Sequence, residues 1–334
     1  MNAPRSHASD DVQQVATDLI SAERAFAFAA TLDHPIVPAA GDTLLPAWHW
    51  LYFWSIEQQA ELGQDGHPRK GGFLPDLGLP RRMWAGGRLA FERPLTIGTI
   101  ATRTSRVLSI ERKEGRSGAL GFVTVGHVIE SAGEVAIREE HDIVYRGPAA
   151  PGATAPSPKG APDDAQWQLD ITPDEVMLFR YSALTFNGHR IHYDRTYARD
   201  VEGYPDLVVH GPLISTLLLD LVTRSLPDAT VVEYAYRAVR PTFLGNTFSV
   251  CGRLADDGKT IDLWAKDHDG WLTMSATATL ACPLTSIPRY KTCILPTRTK
   301  TFAKPFATCA VSFPLNISAR STRNAATPKR SSTR

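Results

Sequence analysis

The segment LTMSATATL at Leu272–Leu280 alternates apolar and small polar residues, and this period of two is typical of a half-buried β-strand. Two further strand-like runs, Phe248–Leu254 and Thr260–Asp267, precede it in the same half of the chain. Asp-Asp-Gly at 256–258 and the run from Asp267 to Gly270 contain the residues that favour tight turns between strands. The pattern therefore predicts three strands joined by two hairpins.

The first half of the chain repeats this order of strands. The motif RPTFLG at 240–245 precedes the three strands just described, and RPLTIG at 93–98 precedes three strand-like runs of its own. Those runs are Thr99–Leu108, Gly121–Glu130 and Glu139–Arg146. A short motif followed twice by the same order of elements indicates an internal duplication.

Each half also carries an apolar segment upstream of its strands that predicts a buried helix. In the second half this is Pro212–Leu221, where proline suits the first helical turn and leucines cover most of the surface. In the first half it is Pro46–Ile56, which is rich in aromatic residues. A further amphipathic helix, with Val12, Val15 and Leu19 on one face, is predicted to come before it. An antiparallel sheet around one buried helix is a hot-dog fold. The prediction is an α+β double hot-dog whose two sheets join edge to edge.

The two halves are separated by the segment GPAAPGATAPSPKGAPDD, in which 13 of 18 residues are Pro, Gly or Ala. Such a composition cannot bury enough apolar surface to order itself, so it is typical of a linker. The predicted organisation is an N-terminal hot-dog at 1–146, a linker at 147–165, a C-terminal hot-dog at 166–283 and a tail at 284–334.

Charge and cysteine content narrow the possible partners. The net charge of +1 conceals a body, residues 1–283, with 26 basic and 35 acidic side chains, followed by a tail with ten basic ones and no acidic one. An acidic body disfavours nucleic acid, and the basic residues of the tail are too scattered for a nucleic-acid or lipid motif. Four cysteines without a CxxC pair, and the lack of an apolar leader or a long apolar run, predict a cytoplasmic protein without a membrane span. The tail is predicted to be dispensable.

Candidate chemistry is concentrated in YSALTFNGHRIHYDRTYARDVEGYPDLVVHGPL, which runs from Tyr181 to Leu213. An aromatic residue is followed by Asn187, by His192 five positions later, and by His-Gly-Pro at the start of the predicted second-half helix. This order resembles the signature of the MaoC-like, or R-specific enoyl-CoA hydratase, family. FNGHRIHYD and GYPDLVVHGPL are most similar to its 3-hydroxyacyl-thioester dehydratases and 3-methylfumaryl-CoA (mesaconyl-CoA) hydratases. PAWHWLYF and MWAGGRLAFERPL in the first half are similar to the same branch, so the resemblance covers about residues 10–283.

The resemblance implies an enzyme that adds water to, or removes it from, the double bond of an acyl thioester. Its substrate would be an acyl-CoA or an acyl-ACP, without a cofactor or metal. The reaction needs a base to activate water, and the ordinary imidazole pKa of about 6.5 suits His192 to this task. It also needs a donor for the enolate oxygen. Gly211 supplies an N–H at a helix start, whereas Pro212 has none, and the related enzymes make this contact at the same place.

Asn187 departs from the family pattern, in which an ionisable aspartate stands at this position. An amide can orient a water molecule but cannot act as acid or base. We therefore expect His192 to transfer the proton alone, or together with His189 or Asp194. Because the first half has no equivalent of FNGHRIHYD, one active site per chain is predicted.

Several further residues are candidate substrate contacts: Tyr181, His189, His210, Trp48, Arg81, Arg82 and Arg88. The arginines would bind a CoA phosphate or a substrate carboxylate, unless they are solvated surface residues. The alternative role of His210 is a structural cap on the loop. The alternative role of Trp48 is to pack in the core of the first hot-dog. His189 and His192 in HxxH could ligate a metal, but no third ligand stands at a suitable spacing.

Other functions remain open at this point. A 3-hydroxyacyl-ACP dehydratase would perform the same chemistry on another carrier, and Asn187 motivates a non-catalytic acyl-thioester-binding subunit. A hot-dog thioesterase is disfavoured because no carboxylate stands at the start of the Pro212 helix. The sequence is compatible with a homodimer.

Overall fold

The computed structural model describes residues 12–115, 118–147 and 157–284. Their strands are β1 Gln13–Leu19, β2 Arg81–Phe91, β3 Ile100–Gly115, β4 Gly118–Ser131, β5 Glu134–Arg146, β6 Trp167–Ile171, β7 Val231–Ala238, β8 Phe248–Leu254, β9 Thr260–Lys266 and β10 Leu272–Leu280. The α-helices are α1 Ala22–Thr31, α2 Glu175–Thr185 and α3 Gly211–Ser225. Short 3-10 turns lie at Trp48–Leu51, Gln59–Glu61 and Arg190–His192, and a π-helical turn lies at Tyr197–Val201.

All ten strands form one antiparallel sheet in the order β1-β3-β4-β5-β2-β7-β10-β9-β8-β6. The order outward from β2 matches the order outward from β7, so the two halves are copies of one arrangement. They join where β2 pairs with β7, from Gly86 opposite Arg237 to Ala90 opposite Glu233. The predicted edge-to-edge junction is therefore confirmed.

Two glycines allow the strands to approach closely at this junction. A Cβ atom on Gly86 would lie 2.6 Å from the backbone oxygen of Tyr236, and one on Gly87 would collide with the Tyr236 hydroxyl and the Glu140 carbonyl. The ladder between β2 and β5 has a bulge between Trp84 and Gly86. These contacts explain the pair of glycines in MWAGGRL, since any side chain here would push the two halves apart.

The strands predicted from alternation are confirmed. The β8 and β10 bounds agree with the sequence, and the other four predicted runs overlap β3, β4, β5 and β9. The predicted helix at Pro212–Leu221 lies within α3, whose residues 213–222 are all buried. This helix packs against β8, β9 and β10, as expected for the central helix of a hot-dog.

The first half differs from the prediction at both of its proposed helices. Pro46–Ile56 contains only the 3-10 turn at Trp48–Leu51, because Ala47 and Phe53 adopt left-handed φ values of 65° and 60°. The predicted helix around Val12 to Leu19 is instead the edge strand β1, in which exposed and partly buried residues alternate. The helix of this half is α1, which the side chain of Ser21 caps through the Arg24 N–H.

The predicted boundaries can be followed only in part. Residues 148–156 of the linker and 285–334 of the tail lie outside the described residues. The described end of the linker is attached to the β9–β10 hairpin, since Lys159 O accepts from Leu272 N at 2.8 Å. Leu284, predicted as the first tail residue, is buried in the core, and its N–H donates to Gly258 O. Within the described ranges, no helix has the length and apolar character needed to cross a membrane.

The first half contains a buried carboxylate, Glu139, with several hydrogen-bond partners. Glu139 accepts hydrogen bonds from the Trp50 indole N–H at 2.7 Å and from the rings of His49 and His141. Burial alone would raise the pKa of Glu139, but the charges and hydrogen bonds of His141 and His49 outweigh it and hold the pKa well below its usual range. Glu139 is therefore ionised and paired inside the protein.

Glu139→Ala should lower the free energy of unfolding by about 3–5 kcal/mol, because it leaves buried partners without their acceptor. The folded-state pKa lies below the unfolded one of about 4.3, so this stabilisation is present above that pH and is lost as the pH falls below it. Urea unfolding at neutral and acidic pH would measure both effects. Glu140→Ala is the control, since Glu140 forms only an exposed pair with Arg88. Equal losses in the two variants would contradict the prediction.

Candidate active site

The loop between α2 and α3 places the predicted catalytic residues beside the start of α3. Helix α2 ends at Phe186, whose left-handed φ of 53° turns the chain away from the helix axis. The loop later returns, and the Val208 N–H donates to Ile191 O at 3.0 Å. This return brings the 3-10 turn at Arg190–His192 next to His210, the residue before α3.

His192 is a buried imidazole with a defined tautomer. Its Nδ1 lies 2.7 Å from the backbone oxygen of Val208, and because a carbonyl can only accept, Nδ1 carries the proton. The lone pair is then on Nε2, the nitrogen that is available to act as a base. Burial, and next the neighbouring His189, lower the pKa of His192 to about 3. The ring is therefore neutral at physiological pH.

His210 stacks on His192, with ring centroids 3.6 Å apart and planes within 19°. Its Nε2 lies 2.8 Å from the hydroxyl of Ser182 in α2, and it makes no side-chain bond to the N-terminus of α3. This hydrogen bond joins the end of the loop to α2, and the role of His210 as a structural cap on the loop stays a prediction. Burial and the neighbouring imidazoles hold the pKa of His210 well below its usual range. Tyr181 completes this group, with its ring edge-on to His210 at 4.8 Å.

Gly211 is the first residue of α3, where backbone N–H groups have no partner within the helix. The positive end of the helix dipole therefore faces the His192–His210 pair. A Cβ atom on Gly211 would lie 2.7 Å from the ring of Trp84, which itself stacks on Tyr236. The structure thus gives this glycine a packing role that the sequence did not predict. Its role as oxyanion donor stays a prediction.

The hydrogen bonds of Asn187 hold the conformation of the loop, and its amide has no proton to transfer. Its Oδ1 accepts from the His189 N–H at 3.0 Å, and its own N–H donates to Ser182 O. His189 then lies edge-on to His192, with ring centroids 5.5 Å apart. Asn187 is therefore placed to orient His189, in keeping with the non-ionisable role expected of it.

Asn187→Ala should lower kcat roughly tenfold, because it removes an orienting contact and leaves the base in place. Asn187→Asp keeps the acceptor oxygen and should remain active. Steady-state hydration of crotonyl-CoA would measure both variants. The assignment would be contradicted by a loss for Asn187→Ala as large as that for His192→Ala.

A fourth histidine, His67, joins the group from a loop that the sequence analysis passed over. Its ring lies 4.4 Å from that of His189, and burial together with Arg82 lowers its pKa to about 3. Gly66, with a φ of +85°, brings this loop against the backbone of Gly188. The one local signal was the turn-forming Asp-Gly pair directly before a histidine.

The other predicted substrate contacts, Trp48 and the three arginines of β2, differ in whether they lie beside the histidines. Trp48 is fully buried, packs on Phe28 at 5.0 Å between ring centroids, and is part of the main hydrophobic core that the two halves share. Arg81 pairs with Glu202, and exposed Arg88 pairs with carboxylates on β5. Arg82 is the one of the three arginines that lies beside the histidines.

To hold a metal ion, the HxxH motif would need a third ligand beside its two histidines. The one group of three potential ligands found among the described residues is Asp267, His268 and Asp269, in the turn between β9 and β10. His189 and His192 belong to no such group. The site combines a neutral imidazole with a helix N-terminus inside a double hot-dog, and this arrangement suits the predicted hydration or dehydration of an acyl thioester.

Comparison with known proteins agrees with this class. Residues 47–244 match the hydroxyacyl-thioester dehydratase type 2 family. The chain is 46% identical over 271 residues to mesaconyl-C(4)-CoA hydratase of Chloroflexus aurantiacus, which covers 80% of this chain and 95% of the relative. It is 30% identical to the mitochondrial hydroxyacyl-thioester dehydratase type 2 of Schizosaccharomyces pombe, over 66% of this chain and 83% of the relative. The chain belongs to the hydroxyacyl-thioester dehydratase type 2 family, which confirms the predicted resemblance.

Solved structures confirm the fold class. A MaoC-like dehydratase from Phytophthora capsici aligns with a TM-score of 0.60 at 14% identity, over 80% of this chain and 95% of that one. HtdX from Mycobacterium tuberculosis aligns with a TM-score of 0.55 at 19% identity, over 79% of this chain and 99% of that one. At these identities the likeness concerns the fold alone.

Proposed function

We propose that this protein hydrates an α,β-unsaturated acyl-CoA that carries a second carboxylate, as in mesaconyl-C(4)-CoA, with His192 as the general base. The substrate class is suggested by the relative that is 46% identical along most of both chains. The observation that carries the mechanism is the tautomer of His192, since the Val208 carbonyl fixes the proton on Nδ1 and leaves Nε2 as the basic atom.

The reaction then proceeds by addition of water across the double bond. Nε2 of His192 takes a proton from water while the water oxygen forms its bond to the β-carbon. The π electrons shift toward the thioester oxygen, and the N–H of Gly211 would stabilise the resulting enolate. The imidazolium returns the proton to the α-carbon, so that H and OH have been added and the base is regenerated.

Burial of His192 favours the second half of this sequence. An imidazolium in a site that lowers its pKa to about 3 is a strong acid and gives its proton readily to the α-carbon. The negative charge that develops on the enolate stabilises the imidazolium while it exists. The fully buried, neutral His210 ring stacked on His192 adds no competing positive charge.

The same residues catalyse the reverse reaction, dehydration of a 3-hydroxyacyl thioester. The mitochondrial relative favours this direction as the second candidate function.

Loss of the enoyl-thioester absorbance with mesaconyl-C(4)-CoA, crotonyl-CoA and crotonyl-ACP tests the proposal. We expect turnover of mesaconyl-C(4)-CoA to be the fastest of the three. Fastest turnover of crotonyl-ACP would favour the dehydratase of acyl-ACP instead. Binding without any absorbance change would identify a non-catalytic subunit, and release of free CoA would identify a thioesterase.

A further inference from the structure

Arg82 is a buried cation beside the histidine group. It stands two residues before Trp84 on β2, so the two side chains leave the same face of the sheet about 6.6 Å apart. Trp84 packs against Gly211 at the start of α3. Arg82 therefore points to the side of the sheet on which the predicted oxyanion donor lies.

The guanidinium of Arg82 is nearly buried and only partly hydrogen-bonded, with the hydroxyl of Tyr145 and the carboxylate of Asp65 among its neighbours. Its side chain is 9% exposed, and one Nη donates to Pro68 O at 2.9 Å. The nearest carboxylate, Asp65, is 3.7 Å from the same nitrogen, which is beyond hydrogen-bonding length. The buried Nε has no hydrogen-bond partner among the described residues. A buried guanidinium nitrogen without an acceptor is costly, so Arg82 is able to bind one further anion through Nε.

Arg82 supplies the positive charge on this side of the histidine group. Burial, and next the charge of Arg82, lower the pKa of His67 to about 3. The pKa of His189 is lowered to a similar value by burial, His67 and Arg82. Both rings are neutral, and the ring of His189 lies edge-on to that of His192, with centroids 5.5 Å apart. The charge of Arg82 therefore acts on the two rings that adjoin the catalytic base.

The two other candidate arginines of β2, Arg81 and Arg88, differ from Arg82 because each has a carboxylate partner within hydrogen-bonding distance. Arg81 has a carboxylate partner in Glu202 at 3.0 Å and also donates to the Glu202 backbone oxygen. Arg88 is 54% exposed and contacts both Glu140 and Asp142. Each of these two has a protein anion to neutralise it. Arg82 has none within hydrogen-bonding distance.

We propose that Arg82 binds the free carboxylate of a dicarboxylic acyl thioester and so determines acyl specificity. In a mesaconyl-C(4) thioester the free carboxylate is bonded to the carbon that receives water. It must therefore lie near the catalytic base, and Arg82 acts on His189, whose ring centroid is 5.5 Å from that of His192. A CoA phosphate fits less well, because the pantetheine chain leads away from the reacting carbons. This inference rests on the proposed function.

The carboxylate contact can be tested by comparing ligands that differ in the free carboxylate. Succinyl-CoA and butyryl-CoA do not react and differ in the terminal carboxylate, so calorimetric Kd values can be compared in the wild type, R82Q, R82K and R81Q. Loss of a charge-assisted pair should weaken succinyl-CoA binding relative to butyryl-CoA by roughly 10- to 150-fold in R82Q. R82K keeps the charge without the planar fork and should show an intermediate selective loss. R81Q should show no such selectivity.

Turnover separates this inference from the proposed function. In R82Q, kcat/KM for mesaconyl-C(4)-CoA should fall by the same factor relative to that for crotonyl-CoA. Equal losses on both ligands of a pair, or a selective loss in R81Q, would overturn the role of Arg82. A wild-type enzyme that hydrates crotonyl-CoA but not mesaconyl-C(4)-CoA would overturn the proposed substrate, whatever the variants do. Thermal melting of each variant shows whether it is folded, and R82K provides the test if R82Q is not.

Discussion

Replacing His192 by alanine is expected to lower kcat by roughly 10²–10⁴-fold, the usual contribution of a general base. His192 is the ring whose proton position is fixed, since Nδ1 donates to Val208 O and Nε2 keeps its lone pair. The stacked His210 is bound to Ser182 through Nε2 and is less able to replace it. Hydration of crotonyl-CoA under steady-state conditions would measure the loss.

His268→Ala provides a control, because His268 lies on the turn between β9 and β10, away from the site. It should retain wild-type turnover. If His192→Ala keeps more than a tenth of the activity, His192 is not the base. His189 is then the next residue to replace, since Asp194 is already paired with Arg190 at 2.6 Å.

The pH dependence follows from the burial of His192. Because burial lowers its pKa to about 3, the neutral, basic form persists as the pH falls through the value of about 6.5 that is ordinary for imidazole. We therefore expect kcat/KM to be independent of pH around neutrality and to decline only as the pH approaches that lowered pKa. An acidic limb near pH 6.5 that disappears in His192→Gln would mean that substrate or water restores the ordinary pKa.

The sequence allowed the second half of the fold to be predicted well, for a physical reason. Strands such as β10 have one more deeply buried face, so apolar and polar residues alternate along their sequence with a period of two. The α3 helix is apolar on nearly every side because it is buried on every side. The short spacing from Asn187 to His192 also keeps both residues in one loop, whatever the fold around them.

The rest depends on contacts between distant segments. His67 meets His189 across 122 residues of sequence, and Trp84 meets Gly211 through the pairing of β2 with β7. Neither contact has a local pattern. The aromatic segment around Trp48 is as apolar as a buried helix, yet Ala47 and Phe53 adopt left-handed conformations within it. Composition predicted its burial, but tertiary packing decided its conformation.

Gly211→Ala should lower kcat by roughly 10²-fold or more, on the scale of losing an oxyanion donor. The added Cβ would lie 2.7 Å from the ring of Trp84, so either that ring or the first turn of α3 must shift. A small shift is sufficient, because a donor displaced from the developing oxyanion loses most of its effect. Gly72→Ala is the control, since a Cβ there meets nothing within 4 Å.

A second substitution distinguishes the two reasons for a glycine at this position. If crowding against Trp84 causes the loss, G211A combined with W84L should recover activity relative to G211A alone, because leucine leaves room for the methyl group. If the substrate oxygen needs the space beside the backbone, the double variant should stay as slow as G211A. Full activity of G211A itself would place the oxyanion donor elsewhere. In that case the N–H groups after Pro212, beginning with Leu213, are the next to examine, because they too lie in the unpartnered first turn of α3.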